Sequence, residues 1–437
     1  MLRKEKLNTA LKKVIVFISS LDKSEPESKK WDFAFFFSNA DEGTIALGAE
    51  DAEKYRECLS ALWEAVASDE QISLRTVERI FQAAIFEALD IGHKRQDDFS
   101  VRLQQALQNI QSGLTAPLQR FLVFCPISGL ALDGLPIRVG NVEFGVFGNA
   151  QLDRFRAAVA THKVDQEQLK IRYDDVEKLG QEKDLFGRVT GAVQVGAIDE
   201  EAAESLGIKE LRLTADVINF YSDLVPYNYA RISLPGDADA ARVVIPKLVV
   251  EGPQQTSVST KYARWGRIGE LSLTKLWEHD TGRNLGFDRL VKLLSGQRND
   301  LEEKLIAAFQ WAGRATKEIR KEEAFVLYTI ALESVILADI DSTELTYRLR
   351  ERTAHLLGSD FESRRDIFSK VRHLYGIRSK IVHSGRYQVT DADLALQRNI
   401  TKRALIRICT AEEFSAMRNG KELGEWFQNR VLGDHKV

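Results

Sequence analysis

From Asn299 onward, apolar residues recur every three or four positions through five successive segments joined by short polar connectors. That spacing is the signature of amphipathic helices, and short connections between such helices confine the chain to a bundle of neighbours packed side by side. LEEKLIAAFQWAGRA forms the first segment. The second, EEAFVLYTIALESVILAD, sets Phe325, Tyr328, Leu332, Val335 and Ile336 on one stripe with Glu333 beside it. Ser342 is placed to cap the third, STELTYRLRERTAHLL, which Gly358 ends. The fourth starts near Phe361, with Ile367, Phe368, Val371, Leu374, Tyr375, Ile381 and Val382 as its expected buried face. Thr390, with Asp393 three residues on, resembles a capping arrangement for the fifth, DLALQRNITKRALIRICTAEEF.

The preceding 298 residues read differently. Up to about residue 117 the pattern is mainly helical: Leu7, Leu11, Val14, Ile18 and Leu21 make one seam, and Tyr55–Ala67 and Thr76–Leu89 make two more. WDFAFFFSNADEGTIALG reads as a strand pair turning near Asp41-Glu42-Gly43. Between 118 and 298, short β-type runs (FLVFC, LPIRVG, VEFGVFG, AVQVGAI, YARISLP, RVVIPKLVV, TSVSTKYARW) alternate with helical stretches, and Asp133-Gly134 reads as a hairpin turn. The expected architecture is therefore α+β followed by an all-α bundle. Its three parts are 1–117, 118–298 and 299–437, a division that suits a chain too long for one ordinary core.

Several chemistries lack their motifs. The seven histidines form no H-E-x-x-H pair, and Cys58, Cys125 and Cys409 lie too far apart in sequence for a metal-binding spacing, so neither a metal nor another cofactor is expected. There is no phosphate loop of the G-x-x-x-x-G-K-[ST] kind and no G-x-S-x-G elbow. The cysteine pattern fits a reducing compartment, and no run reaches the length of a membrane helix, so the expected location is cytoplasmic.

Charge is the more informative property. The chain carries a net −3, but Leu345–Thr410 holds fourteen Lys and Arg against six Asp and Glu, a local +8 that leaves −11 for the rest. Such asymmetry is expected where one region meets a polyanion.

Within that basic segment stands LYGIRSKIVHSG, Leu374–Gly385. Arg378 and His383 share the spacing R-x-x-x-x-H with Arg350–His355 and Arg430–His435, so spacing alone singles out nothing. Context separates them. Arg350–His355 lies in a strongly charged helix and is expected at the surface, while Arg430–His435 sits at the end of the chain. Beside Arg378 and His383 stand Tyr375, Ser379 and a helix-ending Gly385. A histidine in a last helical turn meets a dipole that favours imidazolium, while a neighbouring guanidinium opposes it, a balance suited to moving protons. An arginine can hold a phosphate through two parallel hydrogen bonds. Five residues along a helix rotate side chains by about 140°, so the two side chains leave the helix in divergent directions.

IALESVIL in one helix, followed two helices later by LYGIRSKIVHSG, resembles the Apea-like branch of the HEPN superfamily, whose motif is Y-x-x-R-S-x-x-V-H-x-G. Tyr375, Arg378, Ser379, Val382, His383 and Gly385 match it, and Glu333 matches the glutamate of the earlier helix. The resemblance covers about Asn299–Phe414. It implies a HEPN helical bundle that dimerises through the motif-bearing helix, so that arginines and histidines of two protomers line one cleft. It also implies a metal-independent endoribonuclease of a bacterial toxin, abortive-infection or anti-phage system, acting on an RNA substrate. On that basis Arg378 and His383 are the expected catalytic residues, with Ser379, Tyr375 and Glu333 in support. Arg372, Lys380 and Arg386 are the residues expected to grip RNA. Neutralisation through a tyrosine two residues after the histidine, known in some relatives, has no counterpart, since Gly385 occupies that place. The alternative is a non-catalytic module of the same family that binds RNA or a partner protein. The region 1–298 would then be a sensor or regulatory part, receiving a trigger or partner.

Overall fold

The structure is a computed structural model. It describes residues 2–22, 35–39, 43–67, 70–90, 98–134, 136–160, 166–181, 186–225, 230–234, 248–251, 256–259, 270–339, 345–384 and 388–433. By internal contacts the chain forms two compact units, 1–123 with 194–208 and 124–193 with 209–437, a division drawn differently from the expected boundaries.

The first unit contains α1 (Leu2–Asp22), the antiparallel pair β1 (Phe35–Asn39) and β2 (Gly43–Leu47), and helices α2 (Ala49–Val66), α3 (Leu74–Leu89) and α4 (Phe99–Leu114). The expected strand pair is present, with Phe35 opposite Leu47 and Asn39 opposite Gly43; Asp41 and Glu42 of its turn lie outside the described residues. Leu7, Val14 and Ile18 are buried as the seam predicts, with Leu11 and Leu21 packed against the same core. Tyr55 is the centre of that core. Its ring stacks on Phe81 at 5.1 Å and Phe37 at 5.4 Å, and its hydroxyl is satisfied by Glu78 and Gln82. A buried phenol needs such partners, because an unsatisfied hydroxyl would cost about 1–3 kcal/mol.

Strand β3 (Gln119–Pro126) leads into β4 (Leu130–Ala131), β5 (Ile137–Val139) and β6 (Val142–Val146), which are followed by helices α5 (Asn149–Ala160) and α6 (Gln166–Gln181) and by β7 (Val189–Ala197). The four-stranded sheet has the order β3-β7-β6-β5. Its hairpin is not at Asp133-Gly134. Ile137 pairs with Phe144 and Val139 with Val142, so the turn is Gly140-Asn141, where Gly140 adopts φ +61° at no side-chain cost. Asp133 instead accepts a 2.6 Å hydrogen bond from the Ser272 hydroxyl, and β4 pairs in parallel with β10 (Leu271–Ser272).

Between β7 and β10 come α7 (Glu200–Ser222) and the antiparallel pair β8 (Leu248–Glu251) and β9 (Thr256–Ser259). Helices α8 (Leu273–Thr281) and α9 (Phe287–Ser295) complete the approach to the bundle. Helices dominate the molecule and its sheets are small, which agrees with an α+β part followed by a helical one.

The C-terminal helices are α10 (Asp300–Lys317), α11 (Lys321–Ile336), α12 (Leu345–Leu357), α13 (Phe361–Ser384), α14 (Asp391–Thr410) and α15 (Gly420–Val431). Helix α10 opens on a reciprocal cap. The Asn299 side chain accepts from the Glu302 amide, and Glu302 accepts from the Asn299 amide. Thr390 caps α14 as expected, accepting from the Asp393 amide, while Ser342 lies outside the described residues. Helix α11 packs on α10, α13 and α14. All five residues of its predicted stripe are buried, each worth about 1.5–3 kcal/mol of transfer free energy. Helix α10 also meets α7 closely: a Cβ on Gly313 would fall 1.8 Å from the Asp216 carbonyl oxygen, so only glycine fits there.

Candidate functional site

Helix α13 carries the motif and packs against α11 and α12. Its buried line runs through Ile367, Val371, Leu374 and Ile377, with Phe368, Tyr375 and Ile381 half-buried. Val382, expected in that line, is 51% exposed. The line passes through Ile377, which the sequence reading left out, and the last turn of the helix carries Val382 off its edge.

Arg378 sits at the border of the buried face. Its side chain, 27% exposed, reaches Glu333 on α11, with Nε 3.7 Å from Oε1. Burial pushes the Glu333 carboxyl above its ordinary range, and the Arg378 guanidinium pulls the other way. The Arg378 Nε is itself buried without a hydrogen-bond partner, so the contact is an ion pair and not a hydrogen bond. The guanidinium also lies 5.8 Å from the centre of the Tyr375 ring, within cation–π range. Glu333, Tyr375 and Arg378 therefore form one contact group.

His383 stands elsewhere. It is exposed in the last turn of α13, about 140° around the helix from Arg378. Ser379, half-buried, lies one turn before it on the same side. The structure thus brings Arg378 to Glu333 and Tyr375 and leaves His383 facing outward. Arg372 and Lys380 are exposed on α13. Gly385 and Arg386 lie outside the described residues, as does Tyr387.

The chain matches no family model, no curated protein and no solved structure. No described helix is long and apolar enough to cross a membrane. Cys58, Cys125 and Cys409 are all buried.

Two clusters escaped the sequence reading. His373 Nε2 lies 2.8 Å from Asp393 Oδ1, joining α13 to the first turn of α14. Asp393 is held below the usual carboxylate range by the Thr390 hydroxyl and then by His373. The second cluster is internal. Asp223, just past α7, meets Arg231, Arg398 (2.8 Å) and Lys402, and its carboxylate, Arg231 and Lys402 are all buried. Burial alone would raise Asp223, but Lys402, Arg231 and Arg398 together keep it below its ordinary value. The one available signal was Lys402 itself, a lysine among Ile400, Thr401, Ala404 and Leu405 on the apolar stripe of α14. Arg350 and His355, expected at the surface, are half-buried, with Arg350 over the rings of Tyr347 and Phe368 at 5.1 and 4.8 Å.

Proposed function

We propose that the chain is a metal-independent endoribonuclease whose C-terminal bundle, a HEPN-like domain, cuts RNA with His383 and Arg378. The observation that carries this reading is the division of labour along α13. One end offers an exposed imidazole, and five residues back an arginine is held by Glu333 and Tyr375. The imidazole would take the 2′-hydroxyl proton or return one to the leaving oxygen, worth roughly 10²–10⁴ in rate. A fixed guanidinium would stabilise charge building on the phosphorus oxygens, worth roughly 10²–10³. Because the two side chains diverge within one helix, the reading calls for a homodimer in which a two-fold axis sets the Arg378 of one protomer near the His383 of its partner. The region 1–298 then serves as the regulatory part, and the biological setting is that of a toxin or anti-phage effector in the cytoplasm.

The test is incubation of full-length protein with mixed tRNA and mRNA in the presence of a chelator, followed by end-mapping. Cleavage is expected for the wild type and is lost in His383→Ala, with the oligomeric state unchanged by light scattering. Cleavage that survives His383→Ala refutes the assignment. Binding without cleavage, indifferent to His383→Ala, supports the non-catalytic module.

A further inference from the structure

The first unit holds an open cavity of about 760 Å³, a size that suits a small organic ligand, and every residue lining it belongs to that unit. One wall is a face of α3, where Arg75, Arg79 and Gln82 follow one another at helical spacing. A second wall is the entry to α7, with Asp199, Glu200 and Glu201. Gln119 and Phe121, two places apart on β3, line the same space with Ile198.

Two of the carboxylates are already engaged. Glu78, between the arginines in sequence, accepts from the Tyr55 hydroxyl at 3.1 Å and from the Gln82 amide at 3.4 Å. Asp199 accepts from the Ser73 and Ala202 amides, both at 2.9 Å, and so ties the start of α3 to the start of α7. Burial alone would raise the Asp199 carboxyl, and those amides bring it below the ordinary range. Arg75, Arg79, Glu200 and Glu201 remain. Among the described residues, the side chain of none of these four has an ion-pair or hydrogen-bond partner.

The glutamates have a local explanation, since carboxylates in a first helical turn complement the macrodipole. The arginines have none. Arg75 is the second residue of α3, where a cation opposes the positive helix start, and the first turn of α3 carries no acidic residue to offset it. Arg79 stands one turn further on, beside it. Two neighbouring guanidiniums without a carboxylate, at a helix start that disfavours the first of them, suit an anion brought from outside the chain.

Charge selects the ligand. A polyanion such as RNA would meet four carboxylates in this lining, and a polyamine would meet two guanidiniums. The unpaired charges are two of each sign, so their complement is a zwitterion, with a carboxylate for Arg75 and Arg79 and an ammonium for Glu200 and Glu201. The uncharged lining suits peptide groups. Gln82 donates its amide to the Tyr55 hydroxyl at 2.9 Å, which fixes the side chain and leaves its carbonyl oxygen to accept from an N–H. Gln119 offers a donor and an acceptor, and Phe121 and Ile198 are half-buried apolar surfaces that a side chain can cover. An extended chain spans about 3.3–3.6 Å per residue, so a tripeptide sets its charged ends about 10 Å apart, a span that a cavity of this size accommodates.

We infer that this cavity binds a short zwitterionic peptide, with Arg75 and Arg79 holding its carboxylate and Glu200 and Glu201 its ammonium group. The inference goes beyond the ribonuclease reading and does not depend on it.

The test uses full-length protein and an equimolar pool of tripeptides built from Gly, Ala, Leu, Phe, Ser and Gln, which carry charge only at their free ends. The fraction retained on ultrafiltration is read by mass spectrometry. Wild type is expected to retain a subset of the pool. Arg75→Gln/Arg79→Gln and Glu200→Gln/Glu201→Gln should each lower that retention at least tenfold, and Arg56→Gln, an exposed arginine of α2 outside the lining, by less than twofold. The same pool acetylated at its amino ends, or amidated at its carboxyl ends, should be retained at least tenfold less. Thermal melts check that each variant is folded, and Arg75→Gln is expected to melt no lower than wild type because it removes the charge that opposes the helix start. Wild-type retention no greater than that of the two double variants overturns the inference. Equal retention of the acetylated pool would mean a plain anion site, and equal retention of the amidated pool a plain cation site, and either result overturns it as well.

Discussion

Arg378 has two conceivable duties, holding a buried carboxylate and stabilising a transition state, and a paired substitution separates them. In Arg378→Gln, Glu333 loses the guanidinium 3.7 Å away while keeping the burial that raises its pKa. Exposed ion pairs contribute about 0.2–1 kcal/mol, and breaking a fully buried one costs about 3–5 kcal/mol. This pair lies between those limits, with side chains 27% and 21% exposed and no hydrogen bond from Nε. A cost of about 1–2 kcal/mol is expected for Arg378→Gln at pH 7, on the scale of partly desolvated pairs. Glu333→Gln removes the buried carboxylate and should be near neutral, so Glu333→Gln/Arg378→Gln returns to within about 0.5 kcal/mol of wild type. Urea unfolding followed by circular dichroism reads these values. The pH dependence has a definite sign. A carboxyl whose folded pKa is raised favours the native state most below its unfolded value of 4.5, and that contribution is lost as pH rises through the folded value. Wild type should therefore lose stability relative to Glu333→Gln as pH climbs from 4 toward neutrality. Cleavage is read on the same proteins. If the arginine acts on the phosphate, the double variant is as inactive as Arg378→Gln, down about 10²–10³. Recovery of cleavage in the double variant would refute the catalytic role, and a coupling energy near zero would refute the ion pair.

Asp223→Asn strands three cations, two of them buried, and should cost about 3–5 kcal/mol in urea unfolding, whereas Lys402→Met leaves Asp223 with two partners and should stay within about 1 kcal/mol of wild type. Equal costs would show that Lys402 is needed for itself. Gly313→Ala drives a methyl group into the Asp216 carbonyl and is expected to lower stability by about 3 kcal/mol, measured by calorimetry. An unchanged melting temperature would mean that α7 and α10 can separate freely. Thr390→Ala removes the cap of α14 at a cost of about 1 kcal/mol and releases Asp393, so amide exchange in the first turn of α14 should accelerate.

What the sequence made legible was local. The α11 stripe is read from spacing alone because every residue in it faces neighbouring helices, and the Thr390 cap is read from two residues three apart. The reciprocal cap at Asn299 and Glu302 is equally local and was readable, though it went unread. The hairpin misplaced to Asp133-Gly134 shows the limit. That dipeptide has good turn chemistry, but Leu130 and Ala131 pair with Leu271 and Ser272, some 140 residues away, and no local pattern carries that choice. Helix α6 went unread because its sequence is mostly polar. Asp223 needed Arg398 and Lys402, more than 170 residues distant, and His373 needed Asp393 twenty residues on in another helix. The motif residues were legible as a pattern, while their orientations required α11 to be in place.

The same non-local contacts change how the basic segment should be read. Its +8 was counted along the chain, but several of its cations face carboxylates from outside it. Arg352 is held by Asp339, Arg378 by Glu333, and Arg398 and Lys402 by Asp223. These cations hold the bundle together, and each such carboxylate lowers the charge that the segment presents to a polyanion. The charge asymmetry in the sequence therefore overstates what the segment can present to a polyanion. Neutralising Arg352, which Asp339 holds, should accordingly alter stability far more than the salt slope of any RNA binding.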